Sequence, residues 1–364
     1  MAIYKIFPQQ SATIYSYYPT LNSGLDEILE LSTFYTITGT NEVSRILLQF
    51  PQDQITDVIA NKVLSSSFDS YLKLSLAYAT ELPLNYTIYS HPLSGSWNIG
   101  TGKLADSPIT TDGVGWQYKD QISGSTWFGA GFPSNTTGSY TGSNSGGGLW
   151  FTSSIYVATQ SFTHTTSKDV ELKVSNAVSA WYSSSLPNNG FIVKHASSIE
   201  FTTASKFESK YFSSNTHTIY PPCLEIRWDD SSYSTSLNTI TSDLVVASIF
   251  NNKNEFQQDS VQRFRVNVRD KYPARAFQTS SLYLNNKVLP TTSYWSIKDL
   301  DTEEIIVDYD TNYTKISADA TGNYFDLYMN GLEPERYYRL LIKTILPNKE
   351  TLVLNQDYYF KIIR

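Results

Sequence analysis

The 364-residue chain carries 27 Lys and Arg against 34 Asp and Glu, a formal net charge of −7. That balance argues against a whole-protein role in gripping nucleic acid or an anionic membrane. Cys223 is the only cysteine, which excludes a disulfide-stapled module and any cysteine-rich zinc or iron–sulfur site.

Aromatic residues make up 14% of the chain and charged residues only 17%, against about a quarter in ordinary domains. Serine occupies 47 positions, roughly one in eight. Such a composition favours strands over helices, which prefer Glu, Lys and Ala. The opening MAIYKIFPQQ lacks the apolar stretch of a signal peptide. No run approaches the roughly 18 apolar residues of a membrane span. The expectation is a soluble, all-β protein made in the cytoplasm.

In chain order, residues 44–50 (SRILLQF) and 71–79 (YLKLSLAYA) have strand length and apolar or alternating patterns. Further strands are expected over 169–174, 190–195 and 223–228, with one or two helical turns at 176–182. Breakers separate them: Pro19, Asn22–Gly24, Pro83, Pro187–Gly190 and Pro221–Pro222. Many short strands with frequent turns predict an antiparallel sandwich. One stretch stands apart, because 13 of the 18 glycines lie between Gly95 and Gly148. It holds Trp97, Trp116 and Trp127, with Trp150 just beyond. This insertion, 95–150, reads as a surface loop whose tryptophans plug the sandwich edge. Its other reading is an aromatic platform on which a glycan or a partner stacks.

Charge density nearly doubles near residue 230, from 30 charged residues in the first 230 to 31 in the last 134. A Ser/Thr-rich stretch follows, so the boundaries are a first domain over 1–230, a linker over 231–240 and a second domain over 241–364. In the second domain RFRVNVR (263–269) alternates strictly, and strands are expected over 305–309, 324–329, 337–344 and 358–363. Asn330–Gly331 and Pro347–Asn348 are turns between them. The string GLEPERYYRLLIK (331–343) resembles the tyrosine corner of fibronectin type III and immunoglobulin-like domains, in which Tyr337 or Tyr338 would pin a crossing loop by its hydroxyl.

Several strings of the first 230 residues, taken in order, resemble the DNRLRE-type β-sandwich, a jelly roll related to carbohydrate-binding modules. They are Asn22-Ser23-Gly24, the Arg-led strand 44–50, SWNIGTGKLAD, a second Trp at 116, DVELKVSNAVSAWYSS, NNGFIVKHA, FESKYFSS and YPPCLEIRW. The fold this implies is an N-terminal jelly-roll β-sandwich followed by an immunoglobulin-like β-sandwich. The whole chain is also similar to virion structural proteins of contractile-tailed marine bacteriophages, mainly through SIKDLDTEEIIVDYDTNYTKIS, GNYFDLYMNGLEPERYYRLLIK and YYFKIIR. That resemblance implies a non-enzymatic structural subunit in head decoration, neck or collar, or tail or baseplate. Its partners would be other virion proteins and further copies of itself, and its location the virion. The rival is a carbohydrate-binding module on a host or environmental polysaccharide, with Trp97, Trp116, Trp127 and Trp150 as stacking residues.

Tests for chemistry return little. Gly100-Thr101-Gly102-Lys103 ends like a phosphate loop, but Trp97 and Leu104 stand where Gly and Ser/Thr are required. No Gly-x-Ser-x-Gly elbow and no His-Glu-x-x-His helix occurs. His91, His164, His195 and His217 are too scattered to pair as ligands. The acidic run with Asp299, Asp301 and Glu303 offers calcium ligands, although the spacing is not that of an EF-hand and solvated strand ends explain it as well. Otherwise no cofactor is expected. Arg263, Arg265, Arg269, Lys271 and Arg275 form a basic stripe. It reads as an ion-pairing seam against an acidic neighbour, or as a charged face that protects the strand from edge aggregation.

Overall fold

The computed structural model describes residues 2–36, 41–63, 67–127, 136–137, 146–200, 202, 207–250, 253–272, 286–355 and 357–364. The protein is all-β, built mainly from antiparallel sheets with a few short helices. It divides into two compact units. The first comprises Ile6–Lys62 and Asp69–Ile226, and the second Met1–Lys5, Val63–Phe68 and Arg227–Arg364.

The first unit is organised by one long antiparallel sheet. Its strands run in the order Ala158–Thr163, Asn85–Pro92, Phe191–His195, Asn41–Gln49, Ile28–Tyr35, Phe207–Phe212 and Leu76–Thr80, with Gln10–Tyr15 also paired to Asn41–Gln49. The central strands are buried on both faces: every residue from Val43 to Leu48 and from Phe191 to His195 is buried. That double burial explains why SRILLQF reads as an apolar run rather than an alternation. One face packs on a layer holding Asp69–Leu74, which pairs with Val170–Lys173, and the helix Ser175–Tyr182. There Phe191 meets both Phe50 and Trp181, with ring centroids 6.5 and 4.5 Å away.

The expected strand over 71–79 is in fact two strands, Asp69–Leu74 and Leu76–Thr80, which serve different sheets. The break at Ser75 is stitched by the Leu76 amide donating to Asp169 Oδ1 (2.8 Å). Buried hydroxyls account for part of the serine content. Ser23 Oγ bridges the backbone of Thr13, and Ser44 Oγ joins Ser32 N to Glu30 O. A small hydroxyl satisfies a strand backbone at a sheet corner where an apolar side chain would leave it unpaired.

The second unit packs two sheets face to face. One runs Val245–Phe250, Val261–Asp270, Gly322–Tyr328, Ser317–Asp319. The other runs Glu255–Gln257, Tyr359–Ile363, Tyr337–Ile345, Ser293–Asp299, Ile305–Val307, with Thr351–Leu354 also on Tyr337–Ile345. The alternation of RFRVNVR puts Phe264, Val266 and Val268 into a core with Trp295, Phe325, Leu340 and Phe360. Phe264 and Trp295, from different strands, both stack on one ring, Phe325, each at 5.4 Å.

Tyr338, not Tyr337, makes the corner. Its hydroxyl accepts from Glu333 N (2.7 Å) and donates to Glu333 O (3.2 Å), while Tyr337 is 42% exposed. The segment 231–240, expected as a linker, is tied into this unit. Tyr233 Oη donates to Leu289 O (2.8 Å), Ser234 N to Ala318 O, and Ile240 is fully buried in the core. Residues at the chain start belong here too. Tyr4 lies edge-on to Tyr328, and Asn330 Nδ2 donates to Lys5 O (2.6 Å).

Candidate functional site: a buried ion cluster under a tryptophan layer

The glycine-rich insertion does not plug an edge of the sandwich. It lies over the outer face of the long sheet, with a core of its own. Trp97, Val114, Trp116, Trp127, Leu149 and Trp150 pack on Ala12, Ile14, Val43, Leu47, Leu93 and Ile192 from the strands. Trp116 and Trp127 are fully buried, and Trp97 and Trp150 are 6% and 7% exposed. The four proposed stacking tryptophans are therefore interior residues, a correction to their reading as an open platform. The physical reason is supply: a layer of Gly, Ser and Thr has few large apolar side chains, so its indoles become its core. Their N–H groups are used internally as well, Trp97 Nε1 to Asn189 O (3.0 Å) and Trp127 Nε1 to Gly115 O (2.9 Å).

Asn22 fastens this layer. Its amide nitrogen donates to Ile99 O (2.7 Å) and Val114 O (2.9 Å), and its oxygen accepts from Gly102 N (2.7 Å) and Gly24 N (3.2 Å). All the hydrogen-bonding capacity of the side chain is filled inside the protein. Backbone must come this close for the arrangement to exist. A Cβ on Gly100 or Gly113 would sit 2.5 Å from Asn22 or from Gly100 itself. Thus the Asn-x-Gly and Gly-x-Gly strings are two halves of one fastening, and Gly100–Lys103 holds Asn22 rather than a phosphate.

Between layer and sheet lies a cluster of charges. Arg45 points outward from its apolar strand and grips Glu200 with two parallel bonds, Nε to Oε1 and Nη2 to Oε2, both 2.9 Å. Its remaining Nη1 donates to Gly147 O (2.6 Å). Lys194, from the neighbouring strand, reaches Glu200 Oε2 (3.0 Å) and donates to His195 O (2.8 Å). The indoles complete the enclosure, with Arg45 4.9 Å from the Trp116 ring and 5.2 Å from Trp150, and Lys194 5.7 Å from Trp150. Cations over indole faces gain attraction that water would weaken. The middle of the Gly146–Gly148 run is pressed onto this cluster: Gly147 has φ +87°, and a Cβ there would stand 2.7 Å from both Arg45 and Trp116.

Electrostatics follow from that crowding. Burial pushes the Glu200 carboxyl up, but Arg45 and Lys194 outweigh it and hold the group below its ordinary value. Burial drives Lys194 down, against the pull of Glu200. His91 stacks on Tyr89 and approaches Trp150, and burial reinforced by the Lys194 charge lowers it to about 4. His195, on the other face of the sheet between Tyr86 and Phe207, is likewise lowered by burial to about 4. Both are neutral at physiological pH. The cluster joins a layer to a sheet, and its groups face one another rather than an opening.

The remaining sequence-predicted positions are also engaged within the chain. Arg263 forms a two-bond pair with Asp326, both 2.7 Å, and lies 4.4 Å from the Tyr324 ring. Arg265 pairs with Asp319 at 2.8 and 3.1 Å, which with burial opposed holds that carboxyl well below its usual range. Arg269 donates to the Asp270 carbonyl, and Lys271 approaches Tyr272. Arg275 lies outside the described residues. The two leading arginines of the stripe therefore meet their acids on the adjacent strand Gly322–Tyr328 and the hairpin before it.

Asp299 is fully buried, with Oδ2 accepting from Arg336 Nε (2.7 Å) and Oδ1 from Asp301 N and Thr302 N (2.9 Å each). Its carboxylate staples a turn instead of facing Asp301 and Glu303 across a cation cavity; Glu303 lies near Lys298 and Arg339. Among the described residues no three His, Cys, Asp or Glu side chains group as a metal cage. No helix among them is long and apolar enough to cross a membrane.

No family model matches the sequence, and neither does any curated protein. Function must then be argued from geometry. The residues sequence reasoning passed over are Arg45, Lys194 and Glu200 as a set. The available signal was a lone charge inside each of two buried strands, SRILLQF and GFIVKH, where an unpaired charge is too costly to persist.

Proposed function

We propose that the protein is a non-enzymatic structural subunit of a tailed-phage virion, acting by docking against other particle proteins in head decoration, neck or collar, or tail or baseplate. The observation that supports this best is the braced layer over the first unit's sheet. Arg45, Glu200, Lys194 and Asn22 spend their polar groups on fastening one layer of the chain to another, which makes a stiff body with preformed surfaces. Preformed surfaces suit a subunit whose work is shape and interface area, since little ordering entropy is lost on docking. Repetition in a closed ring then multiplies weak contacts by avidity. Mass spectrometry of phage particles purified from the source culture tests the reading. A fixed copy number per particle, a multiple of five, six or twelve for the usual symmetry layers, is the expected result. Absence from particles, with the protein present in cells or medium, overturns it.

One observation favours a glycan-binding alternative. Tyr89 and His91 stack 6.2 Å apart at an interplanar angle of 8°, both half-buried, on a strand whose Thr87 meets the exposed Ser161 hydroxyl at 3.2 Å. Rings flanked by hydroxyls are the chemistry that holds a sugar. Binding on an array of bacterial polysaccharides that disappears with Tyr89→Ala supports this reading, and silence across the array removes it.

A further inference from the structure

We propose that the strand Val245–Phe250 is a self-association edge, which pairs antiparallel with the same strand of a second copy of this chain. The strand closes one end of its sheet, and among the described residues its ladder partner is Val261–Asp270 alone. Its sequence, VVASIF, has no charge, no proline and no glycine. Natural edge strands are protected by such devices, typically a lysine, a proline or a bulge. The pairing here runs without a register shift from Val245↔Asp270 to Phe250↔Arg265. Leu244 and Phe250, at its two ends, are 52% and 55% exposed.

The phase of the ladder shows which backbone groups face outward. Lys271 N donates to Leu244 O (2.8 Å), so Leu244, Val246, Ser248 and Phe250 aim their backbone groups at the neighbouring strand. Residues between them point the other way, by the alternation of an antiparallel pair. Val245 N is taken by Asp243 O. The carbonyl of Val245 and both groups of Ala247 and Ile249 therefore form a short row of donors and acceptors on the side away from Val261–Asp270, without a strand partner among the described residues.

A second copy is the occupant the charges favour. Asp243 and Lys253, both exposed, flank the neutral strand at opposite ends. Antiparallel self-pairing brings the Asp243 end of each copy to the Lys253 end of the other, twice by symmetry. Parallel pairing would set like charges together. The contact is isologous and closes as a two-fold pair, consuming this same edge in both copies. This inference shares with the docking reading only the class of partner.

Sedimentation velocity of the full chain, from low micromolar to several hundred micromolar, tests it. The expected result is a concentration-dependent dimer. Asp243→Lys weakens it by about tenfold, and the double swap D243K/K253D restores it. Ala247→Pro removes one outward N–H while keeping the internal ladder bonds, and yields a monomer; because the Ala247 side chain is buried in the core, the charge swap decides the question if this variant unfolds. A monomer at all concentrations overturns the proposal, as does a dimer indifferent to both the charge swap and Ala247→Pro. Either failure leaves particle mass spectrometry to decide the docking reading by itself.

Discussion

Arg45 and Glu200, 155 positions apart, meet in a two-bond ion pair in which neither side chain is more than 2% exposed. The pair is the contact through which the central strand of the first unit reaches the short helix Ser197–Glu200, and the same guanidinium holds the Gly147 carbonyl of the overlying layer. Such a pair contributes little beyond what well-packed apolar residues would, because desolvation offsets the attraction. Breaking it is another matter, since the surviving charge stays buried.

Glu200→Gln is therefore expected to destabilise the first unit by about 3–5 kcal/mol, leaving Arg45 and Lys194 facing each other without an anion. Arg45→Met alone is expected to cost a similar amount. Because each single change orphans the other partner, the double variant Arg45→Met/Glu200→Gln should cost less than the two singles summed. Urea unfolding of the four proteins measures the coupling, and strict additivity would show that the pair does not act as a unit.

The fastening at Asn22 separates shape from hydrogen bonding. Asn22→Asp keeps the outline but turns the nitrogen, which donates to Ile99 O and Val114 O, into an acceptor facing two carbonyls. A loss of at least about 2 kcal/mol follows, from unmet donors and a buried charge. Gly102 and Gly24 amides on the other side partly stabilise the anion. Asn22→Leu removes all four bonds and is expected to release the glycine-rich layer. Tryptophan fluorescence reads this out, through a red shift as Trp116 and Trp127 meet water.

How much of this could be read from residues alone divides along physical lines. Period and turn chemistry are local, so the helix at Ser175–Tyr182, the strand with alternating RFRVNVR and the corner near Tyr338 were all legible. Ser75 hides a change of sheet within a continuous strand-like stretch, because a strand switching layers keeps its pattern. The tryptophans stand out as a group in the sequence, but whether they plug an edge, form an open platform or core a separate layer is not encoded there. Indole burial depends on what packs above it, and glycine-rich sequence carries no periodicity to reveal a layer. Pairing of Arg45 with Glu200 is a tertiary fact that no local pattern encodes.

The corner tyrosine gives a sharp comparison between neighbours. Tyr338→Phe keeps the ring in the core and deletes a hydroxyl bonded to both backbone groups of Glu333. The expected cost is about 1–3 kcal/mol, because the Glu333 groups are left unpaired. Tyr337→Phe, at an exposed ring, should change stability by less than about 0.5 kcal/mol. Parallel denaturation curves for the two variants check this, and equal effects would locate the corner elsewhere.

Stability should fall on mild acidification, and the sign comes from His91 and His195. His91 and His195 titrate near 4 in the folded protein, against about 6.5 in an unfolded chain. Between those values the unfolded chain binds more protons, so stability is complete above about pH 6.5 and is lost as pH falls towards 4. The charged groups facing His91 are Lys194, Arg45 and Glu200, and those facing His195 are Glu200 and Lys194. Each histidine accounts for up to about 3 kcal/mol. Asp26 works in the opposite direction. Burial raises it to about 6, so its protonation favours the folded state as pH drops through 6. The net loss from pH 6.5 to 4.5 is thus roughly that of one histidine. Asp26→Asn should make the fall steeper and His195→Phe, beside Tyr86 and Phe207, should make it shallower. Urea midpoints taken at half-unit pH steps separate the two effects, and a profile unchanged by His195→Phe would mean that residue is not the proton acceptor that destabilises the fold.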